Sequence, residues 1–74
     1  MMTKEKLVIA VGKRIRQIRT DKGLSIEKLA LLSGLSYSQV IRIENGKINT
    51  SIYQLHLIAR TLKVGLMEFF VGVD

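Results

Sequence analysis

The 74-residue sequence has no cysteine, no proline and only four aromatic residues, two Tyr and two Phe. Without cysteine there is no disulfide, no thiol nucleophile and no thiolate metal site. Long hydrophobic runs are missing too. Leu7 to Val11 is the run nearest the start, and Lys13 and Arg14 soon interrupt it, which makes it too short for a signal-peptide core or a membrane span. An intracellular, cytoplasmic protein that does not enter a membrane is therefore expected. Acidic residues are scarce, 6 against 12 Lys and Arg, which leaves a formal charge of +6. Such an excess suits a polyanionic partner, nucleic acid or an anionic membrane surface, with plain solubility as the simpler reading.

Apolar residues make up 47% of the chain, which argues against disorder and leaves apolar surface for a second subunit. The length fits one small domain, 1–74, with no room for a separate sensing or catalytic domain. A chain of this size buries only about 60% of its extended surface, so its stability is marginal without efficient packing or a partner.

With no proline and with β-branched residues at helical rather than alternating spacing, the sequence reads as five helices. The first spans about Lys4 to Lys22, with Val8, Val11, Ile15 and Ile18 on one stripe and Gly23 as its stop. Ser25 caps the second, with Glu27 in the first turn and Leu29, Ala30 and Leu32 facing inward until Gly34 ends it. Ser36 and Gln39 form a Ser-x-x-Gln capping box for the third, with Val40 and Ile43 toward the core and Gly46 after it. Asn49, Thr50 or Ser51 caps the fourth, whose stripe is Ile52, Leu55, Ile58, Ala59 and Leu62. A short fifth helix covers about Leu66 to Val71.

The segment from Ser25 to Lys47 meets three requirements at once. Ala30 is small where two helices must cross, Gly34 tolerates the positive φ of a tight turn, and Leu35, Val40 and Ile43 hold the following helix from behind. Tyr37, Ser38, Gln39 and Arg42 are left outward, on a helix suited to the DNA major groove. Arg42 suits guanine O6 and N7, and Gln39 suits adenine.

On Ile15–Arg19, Gly23-Leu24-Ser25, Leu29-Ala30, Ser33–Ser36, Ile43–Lys47 and Leu62-Lys63-Val64, the chain resembles the Cro/phage-repressor, or xenobiotic-response-element, type of helix-turn-helix regulators. The match runs from about Val11 to Phe70 and looks most like the small controller proteins of restriction–modification systems or a stand-alone repressor. The resemblance implies an all-α, compact five-helix, lambda-repressor-like DNA-binding domain with the helix-turn-helix at helices 2 and 3. It also implies a transcriptional regulator of double-stranded DNA. Base contacts would come from Tyr37, Ser38, Gln39 and Arg42, and backbone contacts from Ser25, Ser36, Asn45 and Lys47. Arg19 and Glu44 would form a partly buried salt bridge.

Three positions depart from the family pattern. Ile26 stands where a phosphate-anchoring glutamine is common, so either backbone amides near Ser25 take that phosphate or the contact is absent. Ile41 replaces a small or polar residue and either packs on a neighbour or meets a thymine methyl. Thr50 stands where proline is frequent, with little consequence for the approach to the fourth helix. Lys13, Arg14 and Arg16 read as a solvated charged face, with phosphate contact as the alternative. His56 has no second ligand near it in the pattern, and no metal, cofactor or catalytic constellation is expected. Leu66, Met67, Phe69 and Phe70 are more apolar than one short terminal helix can bury, which favours a homodimer interface over an ordinary core with a frayed tail. The alternative function is an antitoxin that uses this apolar surface to hold a partner protein.

Overall fold

The computed structural model describes residues 2–73. Among them are four α-helices, α1 (Lys4–Asp21), α2 (Ile26–Ser33), α3 (Tyr37–Glu44) and α4 (Ile52–Leu62), and a terminal 3-10 helix, Leu66–Phe70. The fold is all-helical.

Every α-helix opens on a hydroxyl that accepts an orphan backbone N–H. Thr3 accepts from Lys6, Ser25 from Lys28, Ser36 from Gln39 and Ser51 from Gln54, at 3.0–3.2 Å. Caps of this kind contribute about 1 kcal/mol each. Ser51 is thus the cap of α4 among the three candidates. Gly65, ahead of the terminal helix, offers no side-chain cap. A single 3-10 stretch forms there instead of an α-helix, and it ends at Phe70.

The core draws Val11, Ile15 and Ile18 from α1, Leu29 and Ala30 from α2, and Val40 and Ile43 from α3. Leu55, Ile58, Ala59 and Leu62 of α4 join them, together with Phe69. The inner face of α2 differs from expectation. Leu32 is 55% exposed, while Ser33 is buried. Ile26, Leu29, Ala30 and Ser33 fall at i, i+3, i+4 and i+7, the spacing of one helix face, and Leu32 lies off that stripe. Burying Ser33 is tolerable because its Oγ donates to the Ala30 carbonyl at 3.3 Å and accepts the Leu35 N–H at 3.4 Å.

Two glycines let α1 lie directly on the end of α3. A Cβ at Gly12 would stand 2.8 Å from the Glu44 carbonyl oxygen and closer still to that of Ile43. Gly46 has φ +67°, and a Cβ there would lie 2.8 Å from Ile9 Cα. The end of α3 therefore closes as a Schellman turn, with the Lys47 N–H donating to the Arg42 carbonyl at 2.8 Å.

Candidate nucleic-acid interface

Ala30 is buried on α2, and the chain turns from α2 to α3 through Gly34, which is left-handed at φ 80°. On α3, Val40, Ile43 and Glu44 are buried, so the helix has a fixed inner face. Tyr37, Ser38 and Arg42 are exposed, and with half-buried Ile41 they span an arc of about 140° around the helix axis. Gln39 lies about 60° beyond Arg42, between that arc and buried Ile43, and is half-buried. Ser25, Ser36, Asn45 and Lys47 are exposed and flank the two helices.

Gln39 is already engaged. Its Oε1 accepts the Ser36 N–H at 2.9 Å while its own N–H donates to Ser36 Oγ at 3.1 Å. The capping box is complete, and the carboxamide oxygen points back toward the helix N-terminus.

Arg19 holds α3 from the core side. Its Nε donates to Glu44 Oε2 at 2.6 Å, one terminal nitrogen to Glu44 Oε1 at 3.0 Å, and the other to the Leu24 carbonyl at 2.7 Å. The two side chains are only 9% and 3% exposed. A planar guanidinium suits this task, because its donors diverge at fixed angles and can serve a carboxylate and a carbonyl together. One side chain thus joins the last turn of α1, the end of α3 and the α1–α2 loop.

Ile26 packs against the core, so the position at the start of α2 turns inward and presents no polar side chain. Ser25 Oγ is taken by the Lys28 N–H, while the first-turn amides of a helix have no intrahelical partner. The charged face expected on α1 is divided. Lys13 and Arg16 are exposed, but Arg14 turns to the terminal helix. It donates to the Glu68 carbonyl at 2.8 Å and to Gln17 Oε1 at 3.2 Å, with the Glu68 carboxylate at 3.5 Å.

The expected dimer residues also separate. Met67 is 76% exposed, and Leu66 and Phe70 are half-buried. Phe69 is fully buried and belongs to the core of its own chain, which corrects its assignment to an intermolecular surface. The 3-10 path turns its ring inward. Beside Phe70 lies an apolar groove of about 170 Å³, lined by Leu7, Val8, Val11, Ile48, Ile52 and Leu55 among others.

Among the described residues no group of His, Asp and Glu is placed to hold a metal ion, and no helix is long and apolar enough to cross a membrane. His56 is exposed, its ring 6.2 Å from that of Tyr53. Gly12 and the Arg14–Glu68 tie were not recognised from sequence. A glycine inside a helix costs about 1 kcal/mol relative to alanine, which is the signal that marks Gly12. The bonds of Arg14 to Glu68 cross 54 positions and leave no local trace.

A family model described as HTH_3, helix-turn-helix, matches residues 15–69. The chain is 39% identical over 62 residues to the HTH-type transcriptional regulator PuuR of Escherichia coli (strain K12). That alignment covers 84% of this chain and 34% of PuuR, so the chain spans about a third of the length of this relative. Among solved structures, the restriction-modification controller protein C.AhdI from Aeromonas hydrophila is 41% identical with a TM-score of 0.84, over 85% of this chain and 96% of that one. The controller protein C.Esp1396I, solved as a tetramer with its natural 35 base-pair operator, is 35% identical with a TM-score of 0.81, over 89% and 87% of the two chains.

Proposed function

The chain belongs to the HTH_3 helix-turn-helix family, and from that membership we propose that it is a sequence-specific regulator of transcription that binds double-stranded DNA. In this reading it acts in the cytoplasm as a homodimer on a near-palindromic operator, with one α3 in the major groove of each half-site. The observation that carries the reading is the outward arc of Tyr37, Ser38 and Arg42 on a helix whose other side is fixed by Val40, Ile43 and the Arg19–Glu44 pair. Base readers must be held in place before contact, since each rotamer immobilised on binding lowers affinity.

Arg42 reads guanine through O6 and N7, and Tyr37 and Ser38 reach neighbouring bases from the first turn of α3. Lys47, Asn45, Ser36 and the amides at Ser25 take phosphates and fix the register without reading sequence. Ile41, between Tyr37 and Ser38 on the outward arc, suits a thymine methyl. Two-fold symmetry would set the two recognition helices about one helical turn of DNA apart. Met67, Leu66 and Phe70 supply the contact between protomers. The likeness to C.AhdI, which extends over nearly all of that protein, supports a controller-type role.

The test begins with selection of binding sites from random duplexes, followed by titration of the selected site and a scrambled one. Arg42→Ala should reduce the ratio of the two affinities by about 5- to 150-fold per half-site, the value of one bidentate base contact. Unchanged discrimination would remove Arg42 from the base-reading set, and a parent protein that enriches no sequence would overturn the reading as a whole.

A further inference from the structure

Gln39 stands on the recognition helix in two capacities, and they are not independent. A backbone N–H can be met only by an acceptor, so the bond from Ser36 N–H at 2.9 Å fixes which end of the Gln39 carboxamide is oxygen. The oxygen is committed to the helix N-terminus. One lone pair of that oxygen is filled and the bond holds it back against the helix end, so the NH2 group, which offers donors alone, is the end free to turn to a partner.

We propose that Gln39 acts on DNA as a donor-only reader, selecting an acceptor edge in the major groove: guanine O6 and N7, or thymine O4. This rests on the DNA-binding reading above and revises the adenine contact expected from sequence. Reading adenine requires the amide to donate to N7 and to accept from N6–H2 at the same time. For that, the oxygen would have to turn from the helix end toward the groove, leaving the Ser36 N–H with a stretched, shared bond or none where DNA excludes water. A lost bond there is of the same order as the benefit of a hydrogen bond to the base. The pairing that keeps every group satisfied leaves the capping box closed and places the NH2 against acceptors. Arg42 projects from the neighbouring side of the helix, so the two donors would favour consecutive acceptor-rich edges.

Gln39→Glu isolates the effect. Glutamate also closes a capping box, with one carboxylate oxygen on Ser36 N–H, while the outward group changes from donor to acceptor. Sites are selected from random duplexes with the parent, Gln39→Glu and Gln39→Ala, and thermal melting is recorded for each. The parent should prefer guanine or thymine at one position. Gln39→Ala should flatten that position and lower the melting temperature. Gln39→Glu should melt like the parent and shift that position by about tenfold toward cytosine or adenine, whose exocyclic amines donate. Its added negative charge lowers affinity for every duplex, so the readout is the ratio between bases. Adenine preferred by the parent at the position that Gln39→Ala flattens would overturn the proposal, as would a Gln39→Ala profile identical to the parent's at every position. If the parent enriches no sequence, the DNA-binding reading itself falls and this proposal with it. If the parent enriches a site in which Gln39 has no donor role, only this proposal falls.

Discussion

Arg19 concentrates more of the architecture than any other single side chain. Its three bonds reach Glu44 twice and Leu24 once, all from a nearly buried guanidinium. Removing one partner of a buried pair costs about 3–5 kcal/mol, because the remaining charge stays desolvated. Glu44→Ala should therefore lose most of the stability of a domain this small, measured as a lower urea midpoint. Replacing both groups with apolar side chains, Arg19→Met with Glu44→Leu, should cost less than Glu44→Ala alone. It should remain below the parent, since Leu24 loses its donor. A Glu44→Ala midpoint equal to the parent's would mean that the pair does not hold α3.

At the scale of elements, the crossing of α1 over the end of α3 decides how α3, the proposed recognition helix, is presented. Gly12→Ala should gain about 1 kcal/mol of helix propensity, yet its methyl would run into the Ile43 and Glu44 carbonyls. Backbone at a helix end cannot rotate aside as a side chain can, and such overpacking costs about 1–3 kcal/mol. The net result should be a melting temperature lower by roughly 5–10 °C, and a melting temperature at or above the parent's would argue against this close approach. What was readable beforehand follows the same division between near and far. Ser25, Ser36 with Gln39, and Gly34 act within four residues, so their caps and turn stood in the sequence pattern. Leu32 misled because a stripe over eight residues tolerates an error of one position, and Ser33 holds the core side through its bonds to Ala30 and Leu35. Phe69 and Phe70 are adjacent and alike in composition; only the 3-10 path decides that the first is core and the second half-buried. The Arg19–Glu44 pairing spans 25 positions and was available through family resemblance alone.

For the whole molecule, the proposed assembly and the charge balance make separate demands. With Phe69 inside its own core, the proposed contact between protomers would fall to the exposed Met67 with half-buried Leu66 and Phe70, beside the apolar groove. Met67→Glu should shift sedimentation toward the monomer without lowering the melting temperature of the protomer, because a 76% exposed side chain contributes little to its own core. A dimer that persists at the same concentration would place the interface elsewhere.

In the proposed DNA-binding role the formal charge of +6 would set the affinity common to all duplexes, because each phosphate neutralised releases counterions and steepens the dependence on salt. Lys47 is exposed three positions past the end of α3, and its backbone is anchored to Arg42 through the Schellman turn. Its flexible side chain therefore starts from a fixed backbone position beside the proposed base readers. Lys47→Ala should weaken cognate and scrambled duplexes by the same factor and reduce the slope of log affinity against log salt by about one unit per protomer. Arg42→Ala should do the reverse in emphasis, compressing the ratio between the two duplexes. Titrations of both variants at several salt concentrations separate the roles, because a phosphate contact moves the slope and leaves the ratio alone. A Lys47→Ala slope equal to the parent's would take Lys47 off the DNA backbone, and a changed ratio would make it a reader of bases.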